Sequence, residues 1–204
     1  MSNIGHSAAR AVASKAIDVV LKNVDKNREE GVCKLIDFMQ KYMSEEKLDV
    51  NYDKAREMVC NKDGAFNKYI NRVLDEVDPH VLKTMALNLG FEAFMYGTKT
   101  IRKNREKYDC NVPWLILMDP TSACNLHCTG CWAAEYGNRL NLTFDEMDKV
   151  VQQGKELGTY LYMFTGGEPL VRKADLIKLC EKHNDCAFLS FTNGTLVDEA
   201  FCAD

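Results

Sequence analysis

The chain has 204 residues, of which 46% are hydrophobic and 27% are charged, and its formal net charge is −4. These values indicate a globular protein that can bury a core, and the acidic balance argues against a nucleic-acid partner. The 9 cysteines are many, yet their odd number and irregular spacing do not suggest a secreted disulfide framework. We expect a cytoplasmic protein with no transmembrane segment, because the longest apolar run has only strand length and the N-terminus lacks a signal-peptide pattern.

The first half of the sequence is predicted to be helical. Apolar residues recur there at intervals of three and four positions, for example at Ala16, Val19, Val20 and Val24. Asp78 and Pro79 form the pattern of a helix cap followed by proline at the first helical position. They open a long helical segment from Val81 to Arg105, which two glycines interrupt. We therefore predict a helical N-terminal region at residues 1–110.

The second half, residues 111–204, is predicted to alternate strands with helices. Three short apolar runs predict strands at Trp114–Met118, Tyr160–Phe164 and Ala187–Phe191. The first strand should be fully buried, because its apolar residues do not alternate with polar ones. Thr143 and Glu146 form a capping box that begins the following helix, and Gly158 ends that helix. This order predicts an α/β fold of parallel β-α units.

Three cysteines follow the first predicted strand in a C-x3-C-x2-C array, at Cys124, Cys128 and Cys131. Three thiols on one short loop are most easily explained as ligands of one metal centre. A structural zinc site needs four ligands, and His127 could complete a Cys3His zinc-binding module. Three cysteines on a cubane iron-sulfur cluster would instead leave one iron open for chemistry.

Two further polar segments follow the next two predicted strands. Gly166-Gly167-Glu168-Pro169 comes directly after the second strand, and Thr192-Asn193-Gly194 comes after the third. Active sites of barrel-like α/β proteins are built at the C-terminal ends of the strands. The cysteine array and these two segments are therefore expected to form one site.

The cysteine array, followed by GGEP one β-α unit later and TNG after the next strand, resembles the radical S-adenosylmethionine (radical SAM) superfamily. The resemblance covers about residues 113–204 and implies that the three cysteines bind a [4Fe-4S] cluster whose open iron is chelated by the methionine part of SAM. It also implies a set of residues that contact SAM, namely Trp132, Gly166, Gly167, Glu168, Pro169, Thr192 and Asn193.

The family implies a role for each of these positions. Glu168 would accept hydrogen bonds from the amino group of SAM, the two glycines would let the backbone approach the cofactor, and Pro169 would fix the end of the turn. Thr192 and Asn193 would lie near the ribose or the carboxylate. Many members place an aromatic residue before the third cysteine, where this chain has Gly130, so Trp132 is a candidate substitute for the adenine contact.

The resemblance further implies reductive cleavage of SAM to a 5′-deoxyadenosyl radical, which removes a hydrogen atom from an unknown substrate. A low-potential electron donor such as a flavodoxin or a ferredoxin would be needed. Family cores usually contain six β-α units and this sequence supplies three, so we expect a truncated, partial TIM-like barrel that forms the N-terminal part of a longer protein. A non-catalytic iron-sulfur scaffold is the alternative to an enzyme.

Overall fold

The computed structural model describes residues 3–23, 27–43, 50–137 and 139–203. The chain forms two compact units, residues 1–95 and residues 96–204. Within the described ranges, no helix combines the length and the apolar character that crossing a membrane requires. Our division of the chain into domains at residue 110 stays a prediction.

The first unit is helical, as the apolar periodicity predicted. Its helices are α1 (Asn3–Asn23), α2 (Arg28–Tyr42), α3 (Tyr52–Cys60), α4 (Ala65–Glu76) and α5 (Pro79–Met85), followed by a π-helical segment, Ala86–Gly97, whose last two residues already belong to the second unit. The predicted cap of α5 is present, because the Asp78 carboxylate accepts a hydrogen bond from the backbone N–H of His80 at 2.8 Å. The long helix expected beyond α5 is thus interrupted by a change of helix type.

A buried carboxylate joins α1 to the π-helical segment. Glu92 is fully buried, and its two oxygens lie 2.7 Å from His6 Nε2 and 2.7 Å from Arg10 Nη1. Arg10 also donates a hydrogen bond to Asn88. Since a buried carboxylate is costly without partners, this network fixes the position of α1 along the segment.

The second unit contains three parallel β-α units, as predicted. It comprises α6 (Thr98–Tyr108), β1 (Leu115–Met118), α7 (Phe144–Leu157), β2 (Leu161–Phe164), α8 (Lys173–Lys182), β3 (Ala187–Ser190) and α9 (Glu199–Ala203). Two short 3-10 turns, Trp132–Glu135 and Pro169–Arg172, complete it. The sheet order is β1-β2-β3, with Met118 opposite Phe164 and Phe164 opposite Ser190. The arrangement is a partial parallel β/α barrel.

The ends of α7 are formed by the residues that the sequence singled out. Thr143 accepts a hydrogen bond from the backbone of Glu146, and the Glu146 carboxylate accepts one from the backbone of Thr143. Gly158 ends the helix with φ +101°, and a Cβ there would lie 2.8 Å from the backbone of Gly97 in the second unit. Only glycine combines this left-handed conformation with so close an approach.

The prediction that the first strand is fully buried was wrong. Leu117 in β1 is 53% exposed, and Leu189 in β3, two strands away in the same row across the sheet, is 41% exposed. The opposite face is covered, since the Tyr162 hydroxyl donates a hydrogen bond to the Val151 carbonyl of α7. The face that carries Leu117 is therefore exposed at the row that contains this residue, whereas Leu161 and Ala187 on the same face are buried.

Candidate functional site

The three cysteines of the C-x3-C-x2-C array lie on the loop that follows β1. Cys124 is half-buried and its Sγ accepts a hydrogen bond from the backbone of Leu126 at 3.4 Å. Cys128 and Cys131 are exposed, and the backbone N–H of Cys131 bonds to the Cys128 carbonyl at 3.2 Å. Among the described residues, no three Cys, His, Asp or Glu side chains converge into a metal-binding group. The three cysteines therefore lie on one loop, but their sulfur atoms do not converge on a common metal position.

The chain just before the cysteines is firmly held. Thr121 is buried and forms an isolated antiparallel bridge with Asn141, and its hydroxyl bonds to the Asn141 side chain at 2.6 Å. The Arg172 guanidinium donates to the carbonyl of Pro120 at 3.0 Å and also to the carbonyl of Leu142. The start of the cysteine loop is thus ordered by the segment before α7 and by the turn after β2.

The GGEP segment packs directly on the cysteine loop. The backbone N–H of Gly167 donates to the Thr121 carbonyl at 3.0 Å, and that of Glu168 donates to the Ala123 carbonyl at 2.8 Å. A Cβ on Gly167 would lie 2.6 Å from the Ser122 oxygen, and one on Gly166, where φ is +107°, would lie 2.6 Å from the Thr121 oxygen. The glycines thus permit contact between the two loops, whereas their approach to SAM stays a prediction.

The Glu168 carboxylate accepts three hydrogen bonds from the described residues. It is 1% exposed, and its Oε1 accepts hydrogen bonds from the backbone of Leu170 at 2.9 Å and from the hydroxyl of Thr192 at 2.7 Å. Its Oε2 accepts one from the backbone of Asn193 at 2.8 Å. Since a carboxylate has about four lone-pair positions, these three donors from the described residues leave one for a further donor. Pro169 is buried and begins the 3-10 turn that follows.

A triangle of polar side chains joins the cysteine loop to the loop after β3. Asn193 donates to the Asn125 side chain at 2.9 Å, Asn125 donates to the Thr195 hydroxyl at 2.7 Å, and that hydroxyl lies 2.7 Å from the Asn193 oxygen. Thr192 and Asn193 were predicted site residues, and the structure brings both to Glu168. Asn125 and Thr195 were missed, and the position of Asn125 between the first two cysteines is a sequence signal that could have indicated it.

Trp132 and His127 lie on the exposed part of the cysteine loop. The Trp132 side chain is 62% exposed and packs edge to face on Tyr136, with ring centroids 6.2 Å apart. Such an accessible ring could take up a flat ligand, but its contact with adenine stays a prediction. His127 is exposed, and the described part of the chain does not group it with the cysteines, so the structure offers no preformed Cys3His site.

Comparison with known proteins identifies the family of the region that carries the site. Residues 118–203, which contain all three loops of the site, match the model of the radical SAM superfamily. This region is a radical SAM domain. The resemblance inferred from the cysteine array and the GGEP segment is thereby confirmed, as is the expected fold class.

Curated relatives of the radical SAM domain include three enzymes with different names. The chain is 31% identical over 102 residues to a GTP 3',8-cyclase of Clostridium perfringens, covering 47% of this chain and 31% of the cyclase. It is 32% identical over 91 residues to an AdoMet-dependent heme synthase of Methanosarcina barkeri, covering 43% of this chain and 26% of the synthase. It is 36% identical over 76 residues to a PqqA peptide cyclase of Bradyrhizobium diazoefficiens, covering 36% of this chain and 20% of the cyclase.

The chain thus spans about a third or less of the length of the curated relatives it matches. No solved structure matches it significantly.

Members of the radical SAM superfamily bind a [4Fe-4S] cluster and SAM. The donors of this radical SAM domain fit such a cluster chemically, because thiolates are its usual ligands and Cys128 and Cys131 are open to solvent. The site also offers a buried carboxylate with one acceptor position left among the described contacts, which suits an ammonium group.

Proposed function

We propose that this chain provides the cluster- and SAM-binding part of a radical SAM enzyme, with Cys124, Cys128 and Cys131 as the ligands of the [4Fe-4S] cluster. The proposal is supported above all by the direct bonding between the cysteine loop and the GGEP segment. Two backbone hydrogen bonds and the close packing of Gly167 join these loops inside the region that matches the superfamily.

Each loop then has a defined task. The cysteine loop carries two exposed thiols, on Cys128 and Cys131, and the half-buried thiol of Cys124, which together would take up iron and sulfide. Glu168, held by Thr192 and Asn193, keeps one acceptor position for the amino group of SAM. Trp132 offers an accessible ring for the adenine. Fixed partners around the carboxylate reduce the freedom that would be lost when a ligand binds.

When bound, the cluster and SAM supply an electron and a sulfonium whose reductive cleavage yields a 5′-deoxyadenosyl radical for hydrogen abstraction. The domain contributes the binding groups and their orientation, which is the usual division of work in cofactor enzymes. We also propose that a low-potential donor such as a flavodoxin or a ferredoxin reduces the cluster and that the protein works in the cytoplasm.

The substrate is left open in this proposal for a reason visible in the relatives. Their names refer to GTP, to heme and to a peptide, and each match covers less than a third of the relative. What these enzymes share is membership of one superfamily. We therefore assign to this chain the shared cleavage of SAM and no particular substrate class.

The test is anaerobic reconstitution of the chain with iron and sulfide. We expect about four irons per chain, and a reduced cluster whose electron paramagnetic resonance spectrum changes when SAM is added. Cys128→Ala should lose the cluster. Cys110→Ala is the matched control, because Cys110 is equally exposed but lies outside the array, and it should load normally.

Three results would contradict the proposal. Stoichiometric zinc without iron would indicate a Cys3His zinc module, which should lose its metal in His127→Ala. A cluster whose spectrum is indifferent to SAM would indicate a non-catalytic scaffold. Normal cluster loading in Cys128→Ala would refute the ligand assignment itself.

A further inference from the structure

Two cysteines of the helical unit lie close together, far in sequence from the cysteine loop. Cys33 on α2 and Cys60 on α3 have their sulfur atoms 3.9 Å apart. Cys60 is exposed and Cys33 is half-buried, so a small reagent can reach the pair from solvent. A disulfide needs a sulfur-sulfur distance of about 2.05 Å, and rotation of the two side chains can supply the difference.

The helices that carry this thiol pair are already fastened to each other one turn away. Arg56 on α3 donates two hydrogen bonds to Asp37 on α2, at 3.0 and 2.7 Å. Asp37 follows Cys33 by four residues and Arg56 precedes Cys60 by four, so the ion pair lies beside the thiols on the same helix faces. The two sulfurs are therefore held near each other before any bond forms.

We propose that Cys33 and Cys60 form a reversible disulfide when the protein meets a small-molecule disulfide such as oxidised glutathione. This modification site belongs to the helical unit and does not rest on the proposed radical SAM function. It joins α2 to α3 by a covalent bond across 26 intervening residues, 34 to 59.

The reaction proceeds by two thiol-disulfide exchanges. The exposed Cys60 loses its proton and attacks one sulfur of oxidised glutathione, which forms a mixed disulfide and releases one glutathione thiolate. Cys33 then loses its proton and attacks the Cys60 sulfur, which forms the protein disulfide and releases the second glutathione. The protein gives up two electrons and two protons, and oxidised glutathione is reduced to two thiols. Burial and the neighbouring thiol raise the pKa of Cys33, which favours Cys60 as the first nucleophile.

The test is peptide mapping of the purified chain after exposure to oxidised glutathione and blocking of the remaining thiols. Trypsin releases Cys33 within residues 29–34 and Cys60 within residues 57–62, so the disulfide joins two six-residue peptides. We expect this linked peptide to predominate and to disappear on reduction. In Cys33→Ser the second step is blocked, so the glutathione adduct on Cys60 should rise by about tenfold or more.

Internal controls lie on other tryptic peptides of the same sample. Cys202 is exposed and should keep a glutathione adduct, because its exposure matches that of Cys60 but it lies outside the thiol pair. Cys180 should stay unmodified, because burial raises its pKa to about 11. Separate adducts on Cys33 and Cys60 of the wild-type chain, with no linked peptide, would overturn the proposal. An unchanged adduct level on Cys60 in Cys33→Ser would do the same.

Discussion

The contact between the GGEP segment and the cysteine loop can be tested by adding a single methyl group. In Gly167→Ala the new Cβ would lie 2.6 Å from both the Ala123 carbonyl carbon and the Ser122 oxygen, and closer still to the Ala123 oxygen. All of these are backbone atoms of the cysteine loop, which cannot move aside as the end of a flexible side chain can. The two loops must therefore separate.

The expected cost follows from what the separation breaks. Overpacking of this kind costs about 1–3 kcal/mol. The hydrogen bonds from Gly167 to Thr121 and from Glu168 to Ala123 would also be lost or lengthened, at about 0.5–1.5 kcal/mol each. The total is about 2–6 kcal/mol, a large part of the free energy of unfolding of an ordinary domain.

The assay is urea denaturation followed by tryptophan fluorescence. Both tryptophans, Trp114 and Trp132, lie in the second unit, so their emission reports on the unit that carries the site. Gly90→Ala is the control, because a Cβ there meets nothing within 4 Å, and it should leave the tryptophan transition unchanged. A wild-type denaturation midpoint for Gly167→Ala would refute the inferred contact between the loops.

Three further predictions follow from the hydrogen bonds and charges of the second unit. In Glu168→Gln an amide NH2 replaces one acceptor oxygen and faces a donor such as the backbone N–H of Asn193. The free energy of unfolding of the metal-free chain should fall by about 1–3 kcal/mol, and unchanged stability would contradict this. Asn125→Ala should show a coupling of about 0.5–1 kcal/mol with Asn193→Ala in a double-mutant cycle, and strict additivity would mean that the side chains do not interact. The pKa of Asp148 is held below its ordinary value although burial alone would raise it, because Lys182 donates a hydrogen bond to it. Its carboxylate therefore stabilises the fold at pH values above the unfolded-state pKa of about 4, and this effect is lost as the pH falls further. Urea midpoints measured from pH 6 to pH 3 should therefore fall more steeply for the wild type than for Asp148→Asn.

Features set by local chemistry could be predicted from the sequence. The capping box of Thr143 and Glu146 and the terminal Gly158 define α7 within one turn at each end, and the structure places both ends where expected. The order of strands and helices sufficed to predict parallel β-α units, because two strands joined by a helix usually lie parallel in one sheet. The cysteine array and GGEP identified the family because two independent segments had to occur at the right strands.

Features set by non-local packing could not be predicted. The π-helical segment Ala86–Gly97 has the apolar composition of an ordinary helix, and nothing in its spacing distinguishes i→i+5 from i→i+4 bonding. The exposure of Leu117 depends on which elements cover the sheet, and a run of five apolar residues carries no such information. The pairing of Asn125 with Asn193 joins positions 68 residues apart and depends on how two loops meet.

The buried carboxylate of Glu168 has a structural role in addition to the ligand contact that the resemblance implies. The resemblance assigns it to the amino group of SAM, whereas the structure has it bound by Leu170, Thr192 and Asn193 from two different loops. Because these donors already fix the side chain, a ligand that uses the remaining lone pair would cost it no further rotamer freedom. The same bonds make the fold depend on the carboxylate before any ligand is present. Stability of the metal-free chain therefore has to be measured first, since only a loss of SAM binding beyond that effect can be assigned to the ligand contact.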